Sequence, residues 1–230
     1  VFTATPTLWL SNLNYPGATA ILAGDLLFWA TTAAGGAELY VTNGSSGSYS
    51  LVHHFESSNG LADMNRAGGV VYFWNHPNSG TPELWSTDAT AAGTRRVLHP
   101  ELYPQSGVGI GIDSGTVYFA AQDQNGVEVW SSDGSAAGTR RLTSFADPFA
   151  RIWHMAASPT RAYFYVEDLS FGQEIWSTDG TPEGSRAVTS FGYFEPFGRS
   201  DSNSHLLVAG NRAYFLATTA GLLSIVTVLA

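Results

Sequence analysis

An aspartate and two histidines hold one position in a recurring pattern. Counting ten residues back from Phe73, Phe119, Phe164 and Phe215 gives Asp63, Gly109, His154 and His205. In the first copy of the pattern, at Phe28, the count lands on Ala18 or Thr19. One carboxylate and two imidazoles meeting at a point form a facial triad, which binds a divalent metal and leaves positions open for water or substrate. Asp63, His154 and His205 are therefore candidate ligands for one divalent metal ion, with a metal-dependent enzyme as the activity such a site implies. Their local spacing does not force them together; only a ring-like arrangement of the repeats would. The other reading is two unrelated histidines satisfied by hydrogen bonds. His53, His54, His76 and His99 fall in loops or at strand ends and share no geometry.

A second group mixes aromatic and acidic side chains in connecting segments. It comprises Trp74 and His76 in WNHPNSG, Asp123 in AAQDQNG, and Glu167, Asp168 and Phe171 in VEDLSFG. Tyr193, Phe194 and Phe197 in FGYFEPFGRSDSNS complete it. Exposed rings stack on the CH faces of sugars, while carboxylates and amides bond the hydroxyls. These residues are the candidate ligand-binding set for a glycan or another small molecule. The alternative for Phe194 and Phe197 is that they pin down a connection longer than its counterparts.

The elements that must position both groups are set by a repeat. AELYVTNGSSGSYSLV, PELWSTDATAAGTRRV, VEVWSSDGSAAGTRRL and QEIWSTDGTPEGSRAV carry Glu38, Glu83, Glu128 and Glu174, spaced 45, 45 and 46 residues apart. The upstream motifs LLFWA, VYFWN, VYFAA, AYFYV and AYFLA keep the same beat. Short β segments at such a period predict propeller blades. Each period holds four β-like runs, in the third Gly107 to Asp113, Thr116 to Ala121, Glu128 to Ser132 and Thr139 to Phe145. The fifth period stops one strand short, and Thr5 to Leu10 reads like the missing fourth strand. The expected fold is all-β: a five-bladed β-propeller of four-stranded blades, its ring closed by the N-terminal strand. One domain of residues 1–230 is expected, with blades at 17–55, 60–98, 107–145, 150–191, and 202–229 plus 3–10.

The repeated polar residues read first as scaffold. Asn43, Asp88, Asp133 and Asp179 open turns in which an Asx side chain accepts backbone N–H groups two residues on. Tyr40, Trp85, Trp130 and Trp176 are expected to pack between blades, unless their rings reach solvent and offer sugar platforms. The repeated Glu is lost in the fifth period, as Leu223, together with the Arg found at Arg95, Arg140 and Arg186. That joint loss suggests a Glu–Arg contact, because a buried carboxylate needs a partner.

Composition removes several functions. All ten basic residues are Arg, so Schiff-base and phosphate-binding lysines are excluded. With no Cys there is no disulfide, thiolate nucleophile or Cys-ligated zinc. A net charge of -9 argues against nucleic acid, which wants a basic stripe. No apolar stretch approaches a membrane span. No GxSxG nucleophile elbow is present. The chain opens on Val1 rather than Met, which leaves a removed leader or a trimmed chain open.

The segments ELWSTDAT, EVWSSDGS and EIWSTDGT, with ELYVTNGS as a degenerate copy, resemble the bacterial ELWxxDGT repeat family. The resemblance covers nearly the whole chain. It implies a β-propeller and an extracellular or cell-surface setting, and is nearly silent on activity. The overall plan is also similar to five-bladed lectins of the tachylectin type, a likeness of architecture alone. The function expected from these readings is a secreted or cell-surface binding module for carbohydrate. The metal-dependent enzyme at the mouth of a central channel stands as the alternative. A structural spacer in a larger surface protein is the third class.

Overall fold

The computed structural model describes residues 17–31, 36–45, 47–97, 102–104, 111–113, 115–135, 137–158, 160–168, 172–189, 206–209, 212–219 and 222–229. The proposed closing strand, Thr5 to Leu10, lies outside them. All regular structure among the described residues is β, and it falls into sheets at the sequence period. The first sheet is β1 (Thr19–Leu22), β2 (Asp25–Thr31), β3 (Ala37–Thr42) and β4 (Ser50–Phe55). The second is β5 (Ser58–Ala67), β6 (Val70–Pro77), β7 (Glu83–Thr87) and β8 (Arg95–Arg96). The third joins β10 (Gly111–Asp113), β11 (Thr116–Asp123), β12 (Gly126–Ser132) and β13 (Arg140–Arg141), with β9 (Tyr103–Pro104) paired to β11. The fourth is β14 (Arg151–Ser158), β15 (Arg161–Asp168), β16 (Gly172–Thr178) and β17 (Arg186–Ala187). The fifth holds β18 (Leu207–Ala209), β19 (Arg212–Thr219) and β20 (Leu222–Leu229). Every pairing is antiparallel, and all but that of β9 with β11 join consecutive strands.

Two compact units are present, residues 1–96 with the first two sheets and residues 97–230 with the other three. In the first unit, Leu27 and Leu39 of the first sheet pack with Leu61, Met64, Val71 and Phe73 of the second. In the second unit, Tyr118, Ala120 and Val129 of the third sheet pack against Ile152, Phe164 and Val166 of the fourth. The opposite face of the fourth sheet, with Tyr163, Tyr165 and Ile175, packs against Ala213 and Phe215 of the fifth. A strand covered on both faces need not alternate. That is why VVYFW and its counterparts are apolar throughout, with Val71–Asn75, Val117–Ala121 and Ala162–Val166 wholly buried.

Trp85 and Trp176 lie between sheets, whereas Tyr40 packs on a neighbour in its own sheet. Trp85 meets Phe55 edge-on at 5.0 Å, and Trp176 meets Phe145 at 5.1 Å. Tyr40 stacks on Phe28 at 5.5 Å. Packing within each unit, not an exposed ring of sugar platforms, is the role of these side chains.

The Asx turns form as expected, and each is tied at both ends. The Thr90 amide and hydroxyl donate to Asp88 Oδ1 at 2.9 and 2.6 Å, and the Gly93 amide donates to Thr90 Oγ1 at 3.0 Å. The Thr94 hydroxyl donates to the Thr90 carbonyl at 2.7 Å and lies 2.7 Å from Thr87 Oγ1. The same set recurs at Asp133 with Ser135, Gly138 and Thr139, and at Asp179 with Thr181, Gly184 and Ser185. Bonds from the Thr90 hydroxyl, then its amide, hold the Asp88 carboxyl below the usual carboxylate range; Thr181 does the same for Asp179. The residue after the Asp or Asn is left-handed, a conformation given to Gly44, Gly134 and Gly180 but imposed on Ala89, with φ of 69°.

The late glycine of the motif has a different reason. A Cβ at Gly93, Gly138 or Gly184 would overlap the carboxylate of Asp88, Asp133 or Asp179. Gly138→Ala is therefore expected to break the turn network and lower stability by about 2 kcal/mol or more, through lost bonds and local displacement. Thermal or urea unfolding checks this. A change below about 0.5 kcal/mol would show that the turn relaxes freely.

Candidate functional site

The repeated glutamate bonds differently from the sequence expectation. Trp85 Nε1 donates to Glu83 Oε2 at 2.9 Å and Trp176 Nε1 to Glu174 Oε2 at 3.2 Å; the Tyr40 hydroxyl donates to Glu38. Burial first, and then this bond, push the Tyr40 hydroxyl up to about 12. Residues i and i+2 of a strand share a face, so E-x-W is a hydrogen-bond pair written into the sequence. The expected partners Arg95, Arg140 and Arg186 are on the wrong face. Arg95 lies opposite Ser86, whereas Arg96 lies opposite Trp85 and reaches Glu83 at 3.1 Å. Strand alternation thus transfers the contact to the second Arg of the pair. The equivalent Arg141 turns instead to Asp123, at 3.4 Å.

Glu128 is the exception among the four. It is 1% exposed and accepts from the Thr143 hydroxyl at 2.6 Å and the Phe145 amide at 3.0 Å. Thr143 Oγ1 also accepts from the Val129 amide at 2.9 Å. A side chain has replaced the ladder here, so β13 ends at Arg141 although the sequence extends that strand to Phe145. Trp130, deprived of its glutamate, donates to the Ala121 carbonyl at 3.3 Å.

The candidate metal ligands are placed unevenly. Asp63 lies exposed on β5 in the first unit, and His154 half-buried on β14 in the second. His205 lies outside the described residues. Among the described residues no three potential ligands form a metal-binding group. Asp63 and His154 do share one property: both have positive φ, 51° and 39°, at a break in strand register. The cause is visible in the packing. Leu61 and Met64 face one core, as do Ile152 and Met155, although each pair is three residues apart. Strict alternation forbids this, and a β-bulge absorbs the odd residue.

The candidate sugar contacts also separate. Trp74 does not sit in a loop: it lies within β6 and is wholly buried, because that strand is covered on both faces. His76 is half-buried near the end of β6. Asp123 closes β11, accepts the Asn125 amide at 2.7 Å and holds Arg141. Asp168 is buried at the end of β15. Phe171, Tyr193, Phe194 and Phe197 lie outside the described residues. Glu167 remains, and it belongs to a surface that sequence reasoning missed. Trp153 on β14 is 38% exposed and its Nε1 donates to Glu167 Oε2 at 3.2 Å. Arg151, exposed, is the direct cross-strand neighbour of Glu167. Phe149, 76% exposed, stands two residues before Arg151, so their Cα atoms are at most about 7 Å apart. An exposed indole with its edge held by a carboxylate, with an exposed arginine two residues before it on the same strand, offers a stacking face and directed polar groups. The signal was RIWHM itself, where an indole lies next to the residue singled out for metal binding.

No known protein-family profile matches the chain, and no curated protein matches it in sequence. Solved structures do match. An oligogalacturonate lyase in complex with manganese aligns with a TM-score of 0.60 and 10% identity, over 90% of this chain and 62% of that one. A puromycin hydrolase aligns at 0.58 and 12%, over 89% and 34%. The β-propeller domain of the trilobed protease from Pyrococcus furiosus, which has an open velcro topology, aligns at 0.52 and 13%, over 76% and 54%. The chain thus spans between a third and about three fifths of these structures. At such identities the likeness shows the fold alone: a β-propeller fold built from four-stranded antiparallel sheets. No helix among the described residues is long and apolar enough to cross a membrane.

Glu128 gives a test of the corrected network. Burial raises its carboxyl above the ordinary value of 4.5, against the lowering effect of Thr143 and Phe145. The folded state therefore holds this proton more tightly than the unfolded state. Its stabilising contribution is fully present below 4.5 and declines as pH rises towards the higher folded value. Glu128→Gln keeps one acceptor, and is expected to cost about 1–3 kcal/mol at acid pH and less at neutral pH. Unfolding of both proteins across pH checks this; a cost that grows with pH would restore a buried Arg partner.

Proposed function

We propose that the chain is a carbohydrate-binding module whose ligand stacks on Trp153. The observation that carries this reading is the exposed indole of Trp153 with its Nε1 held on Glu167. A ring fixed in this way loses little freedom when a sugar face covers it, and the exposed Phe149 and Arg151 extend the surface along the chain. Glu167 and Arg151 supply an acceptor and donors for hydroxyls. The net charge of -9 supports a ligand other than nucleic acid. The resemblance to ELWxxDGT repeats supports a secreted or cell-surface setting, within a larger surface protein. Trp153→Ala is expected to weaken oligosaccharide binding about 30-fold, the loss typical of a central aromatic anchor, with unchanged circular dichroism. Titration followed by tryptophan fluorescence measures it; unaltered affinity would remove Trp153 from the site.

The same proposal takes the five sheets as the blades of one propeller, with residues 3–10 supplying the fourth strand of the last. Support comes from the period of the motifs and from the three strands described in the fifth sheet. Deleting residues 1–10 is expected to bare the edge of β18–β20 and cause aggregation or a marked fall in Tm. A truncated protein with unchanged melting and solubility would overturn closure by this segment.

A further inference from the structure

We propose that His154 is a ligand-contacting residue of the Trp153 surface, retained for sugar binding against the conformational preference of its own backbone. This rests on the carbohydrate reading and adds a residue to it. Packing explains why β14 is bulged, since Ile152 and Met155 must face the same core. The bulge itself sets the backbone and not the side chain it carries. A φ of 39° favours glycine, with His, Asn and Asp the side chains that adopt it most readily after it. At the same place in the repeat the third period carries Gly109, the residue the conformation favours. The second period carries Asp63, likewise left-handed, with its side chain exposed. Two of the periods therefore keep a polar, hydrogen-bonding side chain where glycine serves the backbone better.

The position also suits contact with a ligand on Trp153. His154 follows Trp153 directly, so their Cα atoms are about 3.8 Å apart. Tyr165 is the cross-strand partner of Trp153, and the His154 ring meets it edge-on at 6.3 Å. The imidazole and the exposed indole thus both neighbour Tyr165, which is buried. It is half-buried, with ring nitrogens of the kind that donate to or accept from a sugar hydroxyl. A bulge re-aims a side chain out of the pleat, and here the re-aimed residue is the one next to Trp153.

The test is to compare the native chain with His154→Gly, His154→Asn and Trp153→Ala. An array of neutral and uronic-acid oligosaccharides comes first, then calorimetric titration of the strongest binder, with Tm recorded for each protein. The expected result is a Tm for His154→Gly equal to or above native and affinity weaker by about tenfold or more. His154→Asn, which tolerates the left-handed backbone and keeps hydrogen-bonding groups, is expected to fall in between. If His154→Gly binds within about twofold of native while Trp153→Ala loses binding, the inference fails and the Trp153 site stands. If both His154 variants melt several degrees lower, the side chain serves the fold and the inference fails. If the native chain binds nothing on the array, the carbohydrate reading falls, and this inference with it.

Discussion

The second strands of the second, third and fourth repeats are buried on both faces. Five consecutive residues are wholly buried in β6, β11 and β15, among them Phe73, Phe119 and Phe164 at zero exposure. Each such ring contributes about 2–3 kcal/mol by leaving water. A sheet with two apolar faces cannot end the stack on either side without exposing one of them, so sheets must pile on sheets. Within the second unit the fourth sheet does this plainly, giving one face to the third and the other to the fifth.

Polar groups caught in that stack need partners close by, and the repeat supplies them from short range. The E-x-W pair satisfies an indole and a carboxylate two residues apart. The Asx knot satisfies the turn that follows. Glu83 shows how far such a network extends: it accepts from Asn75, Trp85 and Arg96, while Ser58 donates to Asn75 at 2.6 Å. Glu128 shows that the same glutamate can be used otherwise when the next segment offers a hydroxyl and an amide. The repeat fixes that the carboxylate is satisfied, and local sequence fixes by what.

Chemistry is thereby displaced to the places the stack leaves uncovered. Strand centres are packed and turns are knotted, which leaves strand ends, the connections between sheets and the bulges of the first strands. Trp153, Arg151 and Glu167 lie near one end of the β14–β15 pair, and Phe149 lies in the connection leading into it. At the bulges of Asp63 and His154 a first strand departs from alternation, and in both a polar side chain holds a conformation suited to glycine.

The one-dimensional pattern was enough to read the β class, the period and the Asx turns, because each depends on neighbours within a few residues. The choice of Trp153 over Trp74 as the exposed indole was not readable. Both follow or precede a motif residue in an apolar run, and only the covering of β6 on both faces decides that Trp74 is core. The Arg paired with Glu83 was also hidden, since a one-residue step moves a side chain to the other face and register is fixed between strands. The bulges were hidden for the same reason: Leu61 with Met64, and Ile152 with Met155, share a core only once the sheets are stacked. Sequence by itself determined which residues repeat; tertiary structure decided which of them face solvent, because facing is a relation between strands and not a property of any one.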